Sequence, residues 1–64
     1  MIGDVQVGDF CHEKVKSVSW MRNGIVLEVH RDPEGDGVVK LLLSGGRTEG
    51  WSYRSFLAFY YVYR

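Results

Sequence analysis

Cys11, His12 and Glu13 stand in a row, with His30 further on, and these are the residue types of a metal site. In an extended segment successive side chains point to opposite faces, so Cys11 and Glu13 share one side and His12 takes the other. The triplet therefore cannot close on one ion, and one buried cysteine with two surface histidines is the simpler expectation. Asp32, Glu34, Asp36 and Gly37 nearly match the start of a calcium loop, D-x-[DN]-x-[DN]-G. The acid that should close such a loop at its twelfth position is Leu43, and the flanks read as strands rather than helices. An acidic hairpin tip without metal is expected. Ser44 and Ser52 have no histidine in a shared motif, so no nucleophile–base pair forms. Gly45-Gly46 lacks the lysine and following helix of a phosphate loop. No catalytic residue, no cofactor and no metal are assigned, and an enzyme is not expected.

Three other groupings suit binding instead. Lys14, Lys16, Trp20 and Arg22 form a basic stretch with an aromatic in it, and Arg47 and Arg54 could extend it. Such a surface pairs phosphates and stacks a base. The competing use of Trp20 is as a plug over the end of a small core, which needs every large apolar side chain. Trp51 and Tyr53 share a face with Glu49 in an extended segment; one of them could line an aromatic pocket for a cationic group, and simple packing competes. The last grouping is Phe56-Leu57-Ala58-Phe59-Tyr60-Tyr61-Val62-Tyr63. Phe59, Tyr61 and Tyr63 lie opposite Tyr60 and Val62. Whichever set turns inward, the other exposes aromatic area, which is the mark of a protein interface. Phe59, Tyr60, Tyr61 and Tyr63 are therefore the candidate residues for self-association or docking to another protein.

The bulk composition narrows the classes. Sixty-four residues make one domain, 1–64, with a modest core. Eight basic and eight acidic residues cancel, which removes bulk electrostatics as a drive toward nucleic acid. One cysteine precludes an internal disulfide, so a reducing compartment or self-association is expected. The start, Met1-Ile2-Gly3-Asp4-Val5, lacks a basic stretch followed by an apolar run. Nowhere are there the ~20 apolar residues of a membrane span. No signal peptide and no membrane partner are expected, and a cytoplasmic location is the expectation.

The elements that must position these residues are short and punctuated by eight glycines. The first strand is expected over about Asp9 to Lys14, with Phe10 anchoring the core. Residues 15–23 read as a long loop. The second strand, Ile25 to Arg31, alternates Ile25, Leu27 and Val29 on a buried face with Val26, Glu28 and His30 on a wetter one. Asp32-Pro33-Glu34-Gly35-Asp36-Gly37 is a turn. The third strand, Val38 to Ser44, sets Val39, Leu41 and Leu43 against Val38, Lys40 and Leu42. A hairpin at Ser44-Gly45-Gly46-Arg47 leads to the fourth strand, Thr48 to Tyr53, where Gly50 suggests a bulge or close backbone contact. Arg54 to Leu57 fits one 3₁₀ turn, and the fifth strand is Ala58 to Tyr63. Five strands in so short a chain curl into one small barrel.

This order resembles the SH3-like barrel, whose last strand follows a single 3₁₀ turn, here Arg54 to Leu57. Val7-Gly8-Asp9 and Gly24-Ile25-Val26 resemble the KOW- and Tudor-like versions. The string Val38 through Gly46, Glu49-Gly50-Trp51-Ser52-Tyr53 and Leu57 is similar to short uncharacterised proteins of tailed phages and marine environmental sequence. The resemblance covers about residues 5 to 62. It implies an all-β, five-stranded SH3-like barrel with one 3₁₀ turn before the last strand. The first loop is basic and a second tryptophan after Trp51 is missing, unlike proline-rich-peptide binders. The functional expectation is a non-catalytic protein-interaction module, a phage-encoded accessory or virion protein, whose partner is a protein or a second copy of itself. The alternative is a nucleic-acid-binding KOW-like barrel using the loop 14–22.

Overall fold

The computed structural model describes residues 4–14 and 23–64. Five strands and one helix follow in the order β1 (Phe10–Glu13), β2 (Asn23–Arg31), β3 (Gly37–Leu43), β4 (Thr48–Ser52), α1 (Tyr53–Phe59) and β5 (Tyr60–Tyr63). Each strand pairs antiparallel with its neighbours in one sheet ordered β4-β3-β2-β1-β5. The chain therefore has the expected all-β, five-stranded architecture. The sheet is not closed: β4 and β5 are its two edges. It is strongly curled nonetheless. Laid flat, the outer strands of five would stand about 19 Å apart, four gaps of ~4.8 Å. Yet the rings of Trp51 on β4 and Tyr60 on β5 meet edge-on at 5.4 Å between centroids.

The inner face of that curl is the core. Cys11, Val26, Val39, Leu41, Leu43, Tyr53, Phe56 and Tyr60 pack there with Val5. β3 follows the expected alternation, with Val39, Leu41 and Leu43 inside. β2 does not. Its register against β3 slips between Val26 and Glu28, so Leu27 is the extra residue of a bulge. The bulge resets the period of two: Val26 is buried, Val29 packs against the core, and Ile25 turns outward. The expected Ile25-Leu27-Val29 face is thus corrected, because strict alternation cannot run through an inserted residue. The bulge expected at Gly50 is absent; Gly50 pairs in regular register with Lys40, and a Cβ there would meet open space. Phe10, expected to anchor the core, lies on the outer face beside buried Cys11.

Both hairpins form where glycine predicts them. Gly37 has φ +148°, and a Cβ on it would collide with the His30 carbonyl, so the β2–β3 hairpin requires glycine there. In the same hairpin Asp32 Oδ1 accepts from the backbone N–H groups of Glu34 and Asp36, each at 3.0 Å. Asp36 Oδ1 in turn accepts from the Arg54 N–H at 3.1 Å. The tip acids therefore bind backbone, including the first turn of α1.

The connection before β5 is an α-helix of seven residues rather than a 3₁₀ turn. Ser52 caps it, its Oγ accepting from the Ser55 N–H at 3.2 Å. Its inward residues are Tyr53 and Phe56, and Phe56 stacks on Tyr60 at 5.2 Å. That i, i+3, i+7 spacing is helical. Packing of one apolar side is what holds a helix too short to be stable alone.

The segment before β1 is tied down by one buried charge. Asp9, 3% exposed, receives Arg64 Nε at 2.7 Å and Arg64 Nη2 at 3.3 Å, and Arg64 Nη2 also reaches the Asp4 carbonyl at 2.7 Å. The Gln6 N–H donates to Asp9 Oδ2 at 2.8 Å. Burial alone would push the Asp9 carboxyl up, but the bonds from Arg64 and Gln6 outweigh it and hold the group below its ordinary range. A lowered folded pKa stabilises the fold fully above the ordinary Asp value near pH 4. That contribution is lost as the pH falls through the lower folded value. Thermal melts should therefore show stability dropping on the acid side of pH 4, with a shallower drop in Asp9→Asn. At neutral pH, Arg64→Ala should lower the melting temperature by roughly 10 °C. Losing a hydrogen-bonded charge partner costs about 1.5–3 kcal/mol, and 1 kcal/mol moves so small a domain about 4–8 °C.

Candidate functional site

The aromatic residues of the C-terminal segment separate into three places. Tyr60 is 2% exposed and belongs to the core, stacked on Phe56 and edge-on to Trp51. It therefore leaves the set of candidate interface residues. The reason is its position at the end of α1, where both the helical spacing from Phe56 and the inward parity of β5 point it the same way. Phe59 is exposed but turns toward Trp51, with ring centroids 5.9 Å apart, beside the gap between the two edge strands. Tyr61 and Tyr63 stand on the outer face of β5, each about half exposed.

The strand register joins those two tyrosines to residues that the sequence did not single out for this role. Tyr63 is opposite Phe10, Phe10 is opposite Ile25, Ile25 is opposite Leu42, and Leu42 is opposite Thr48. One outer row thus crosses all five strands, and four of its five members are apolar or aromatic. In the next row Tyr61 is opposite His12, and His12 is opposite Asn23. Phe10 stacks with Tyr63 at 6.0 Å, and the His12 ring meets Tyr61 at 5.2 Å and Tyr63 at 5.7 Å. Beside this cluster lies an open depression of about 280 Å³, lined by Phe10, Asn23, Gly24, Ile25, Leu42, Leu43 and Ser44. The outward parity of Phe10 was legible from Cys11 as the buried neighbour; that of Ile25 was hidden by the bulge.

The other sequence candidates come together less. Of the basic group, Lys16, Trp20 and Arg22 lie outside the described residues. Lys14 and Arg47 stand at one end of the sheet, where β1 ends and the β3–β4 turn meets the start of β2 through the Ser44 N–H and the Asn23 carbonyl at 2.9 Å. Lys14 is turned back onto the protein: Nζ donates to the Leu57 carbonyl at 3.2 Å and sits 5.1 Å from the Tyr61 ring centre. Trp51 and Tyr53 do not line a shared pocket. Tyr53 is buried at the start of α1; its hydroxyl accepts from the Val5 N–H at 3.3 Å, and the Arg31 guanidinium covers its ring at 4.2 Å. Trp51 gives its indole N–H to Glu49 Oε1 at 3.2 Å and packs on Phe59 and Tyr60.

His12 and Cys11 point to opposite faces, as alternation requires. His30 lies apart, with Nε2 3.1 Å from Glu28 Oε1. Among the described residues no three His, Cys, Asp or Glu side chains gather to hold a metal ion. No described helix is long and apolar enough to cross a membrane. Comparison with protein-family models, with curated proteins and with solved structures finds no match to this chain.

Cys11 is 1% exposed, and burial pushes its thiol up to about 11, a little offset by a hydrogen bond with the Gly24 backbone. The thiolate is the reactive form. Iodoacetamide at about pH 8 should leave the native thiol almost untouched and modify it rapidly in denaturant, as read by mass spectrometry. Rapid native modification would show that the β1–β2 core opens readily.

Proposed function

We propose that the protein is a non-catalytic interaction module that docks to protein through the outer face of β5, β1 and β2. The observation that carries this reading is the continuous exposed row Tyr63, Phe10 and Ile25, with Tyr61 beside it. An open Phe or Tyr side chain offers about 200 Å², so the exposed parts of these four residues amount to roughly 400 Å². That is the size of the largest exposed patch on an ordinary monomer, which is often a functional surface. Charge is nearly absent from the row, as it is from the centre of protein interfaces. A phage-encoded accessory or virion protein, working as a small part of a larger assembly, would use such a face.

A photo-crosslinking phenylalanine analogue in place of Tyr61 tests the role in cells that express the protein. Discrete protein adducts are expected from Tyr61. None are expected from the same analogue at Val38, which is also exposed but pairs with His30 and Ser52 toward the opposite end of the sheet. Absence of protein adducts at Tyr61 overturns the reading. Nucleic-acid binding that weakens steeply with salt, with a slope near the number of phosphates contacted, would replace it with the alternative built on Lys14, Lys16, Trp20, Arg22 and Arg47.

A further inference from the structure

We infer that the partner for this face is a second copy of the same chain, packed about a two-fold axis; this rests on the docking role proposed above. Four observations favour self-pairing. The first is shape. The face carries half-exposed rings and a hollow side by side: Tyr61 and Tyr63 on β5, and the depression of about 280 Å³ beside Phe10, Ile25 and Leu42. A two-fold contact needs this self-complementarity, since each copy must present both halves of the fit. The hollow is large enough for one aromatic ring of the partner, and each copy would fill the other's.

The second observation is area. The exposed parts of Phe10, Ile25, Tyr61 and Tyr63, roughly 400 Å² together, supply about half of the ~800 Å² per partner of a standard stable interface, as the centre of a contact whose polar rim supplies the rest. The third is charge. Eight basic and eight acidic residues leave no net charge, so two copies meet without overall repulsion. Lys14 at the rim is already held by the Leu57 carbonyl and the Tyr61 ring, and Arg64, next to Tyr63, by the Asp9 carboxylate. The fourth is size. Among the described residues nine apolar side chains are buried, a small core, the lone cysteine is buried and unpaired, and association is a regular way for so short a chain to gain burial.

Sedimentation velocity from low micromolar to near-millimolar concentration should show a monomer passing to a dimer. The melting temperature should rise with concentration, as mass action requires. Tyr61→Lys and Ile25→Lys alter exposed positions on opposite sides of the contact, the tyrosine rings and the hollow. Each should weaken the dimer by about tenfold or more, abolish the concentration dependence of melting, and keep the strand-type circular dichroism. Val38→Lys should change none of these. In a sample mixing labelled and unlabelled chains, isotope-filtered NMR should give intermolecular contacts from the Tyr61 and Tyr63 rings to the Ile25 and Leu42 methyls. A monomer at every concentration overturns the inference, and so does a dimer that both lysine variants leave intact or one lacking those contacts. A monomer that still crosslinks to other proteins from Tyr61 would remove only the self-partner. Loss of all protein adducts would remove the docking role as well.

Discussion

The contact of Trp51 with Tyr60 is what makes a core out of an open sheet. These residues belong to the two edge strands, which share no hydrogen-bonded ladder. Without side chains meeting across that gap, the inner faces of β3 and β2 would border water on one side. α1 makes the meeting possible. It starts at the end of β4 and ends at the beginning of β5, and its seven residues carry the chain from one edge to the other. Phe56, on the helix's inward side, fills the space beneath and stacks on Tyr60. The cap from Ser52, and the bond from the Arg54 N–H to Asp36 in the β2–β3 hairpin, fix where that helix begins. A turn acid on one side of the fold thus helps set the angle at which an aromatic closes the other.

The outer face follows from the same constraint. Once Tyr60 is drawn inward, the period of two in β5 sends Val62 in and Tyr61 and Tyr63 out. β1 obeys the matching rule: Cys11 is inward, so Phe10 and His12 are outward. Antiparallel pairing then sets Phe10 against Tyr63 and His12 against Tyr61. The bulge at Leu27 completes the row by releasing Ile25 from the core. A regular β2 with Val29 inside would have Ile25 inside as well. The outer row is therefore not built by one segment. It depends on three strands, one bulge and the parity of a single buried tyrosine.

Much of this was legible in the residues. Glycine-marked hairpins, five strands and the alternation of β3 follow from local chemistry, which acts over a few positions. The readings that failed needed information from elsewhere in the chain. Val26 and Ile25 are both apolar and β-branched, so composition cannot say which side of a bulge each occupies. Gly50 looked irregular because glycine often marks a bulge, yet here it pairs normally with Lys40. The helix had a signal that shorter windows miss. Ser52 is a favoured N-cap residue, and Tyr53, Phe56 and Tyr60 keep helical spacing. It is obscured because Tyr60 begins a strand, so one residue serves both periods. The site divides in the same way. That one face of the last strand must be aromatic and open was readable from alternation, whereas its continuation through Phe10 and Ile25 depends on strand pairing.

The Asp9–Arg64 pair shows how a small core tolerates a buried charge. Isolated, the Asp9 carboxylate would be costly in that position. Two bonds from one guanidinium and one from the Gln6 N–H satisfy it. The same guanidinium also reaches the Asp4 carbonyl, so one side chain at the end of β5 orders the segment leading into β1. The Gly8 N–H and the Asp9 carbonyl then bond to Val26 on β2. β5 is thereby held from both ends, by Arg64 at one and by Tyr60 in the core at the other. Tyr61 and Tyr63 lie between these anchors. A short strand fixed at both ends loses little conformational freedom when its outer side chains are covered, and a pre-ordered surface keeps more of its contact energy as affinity.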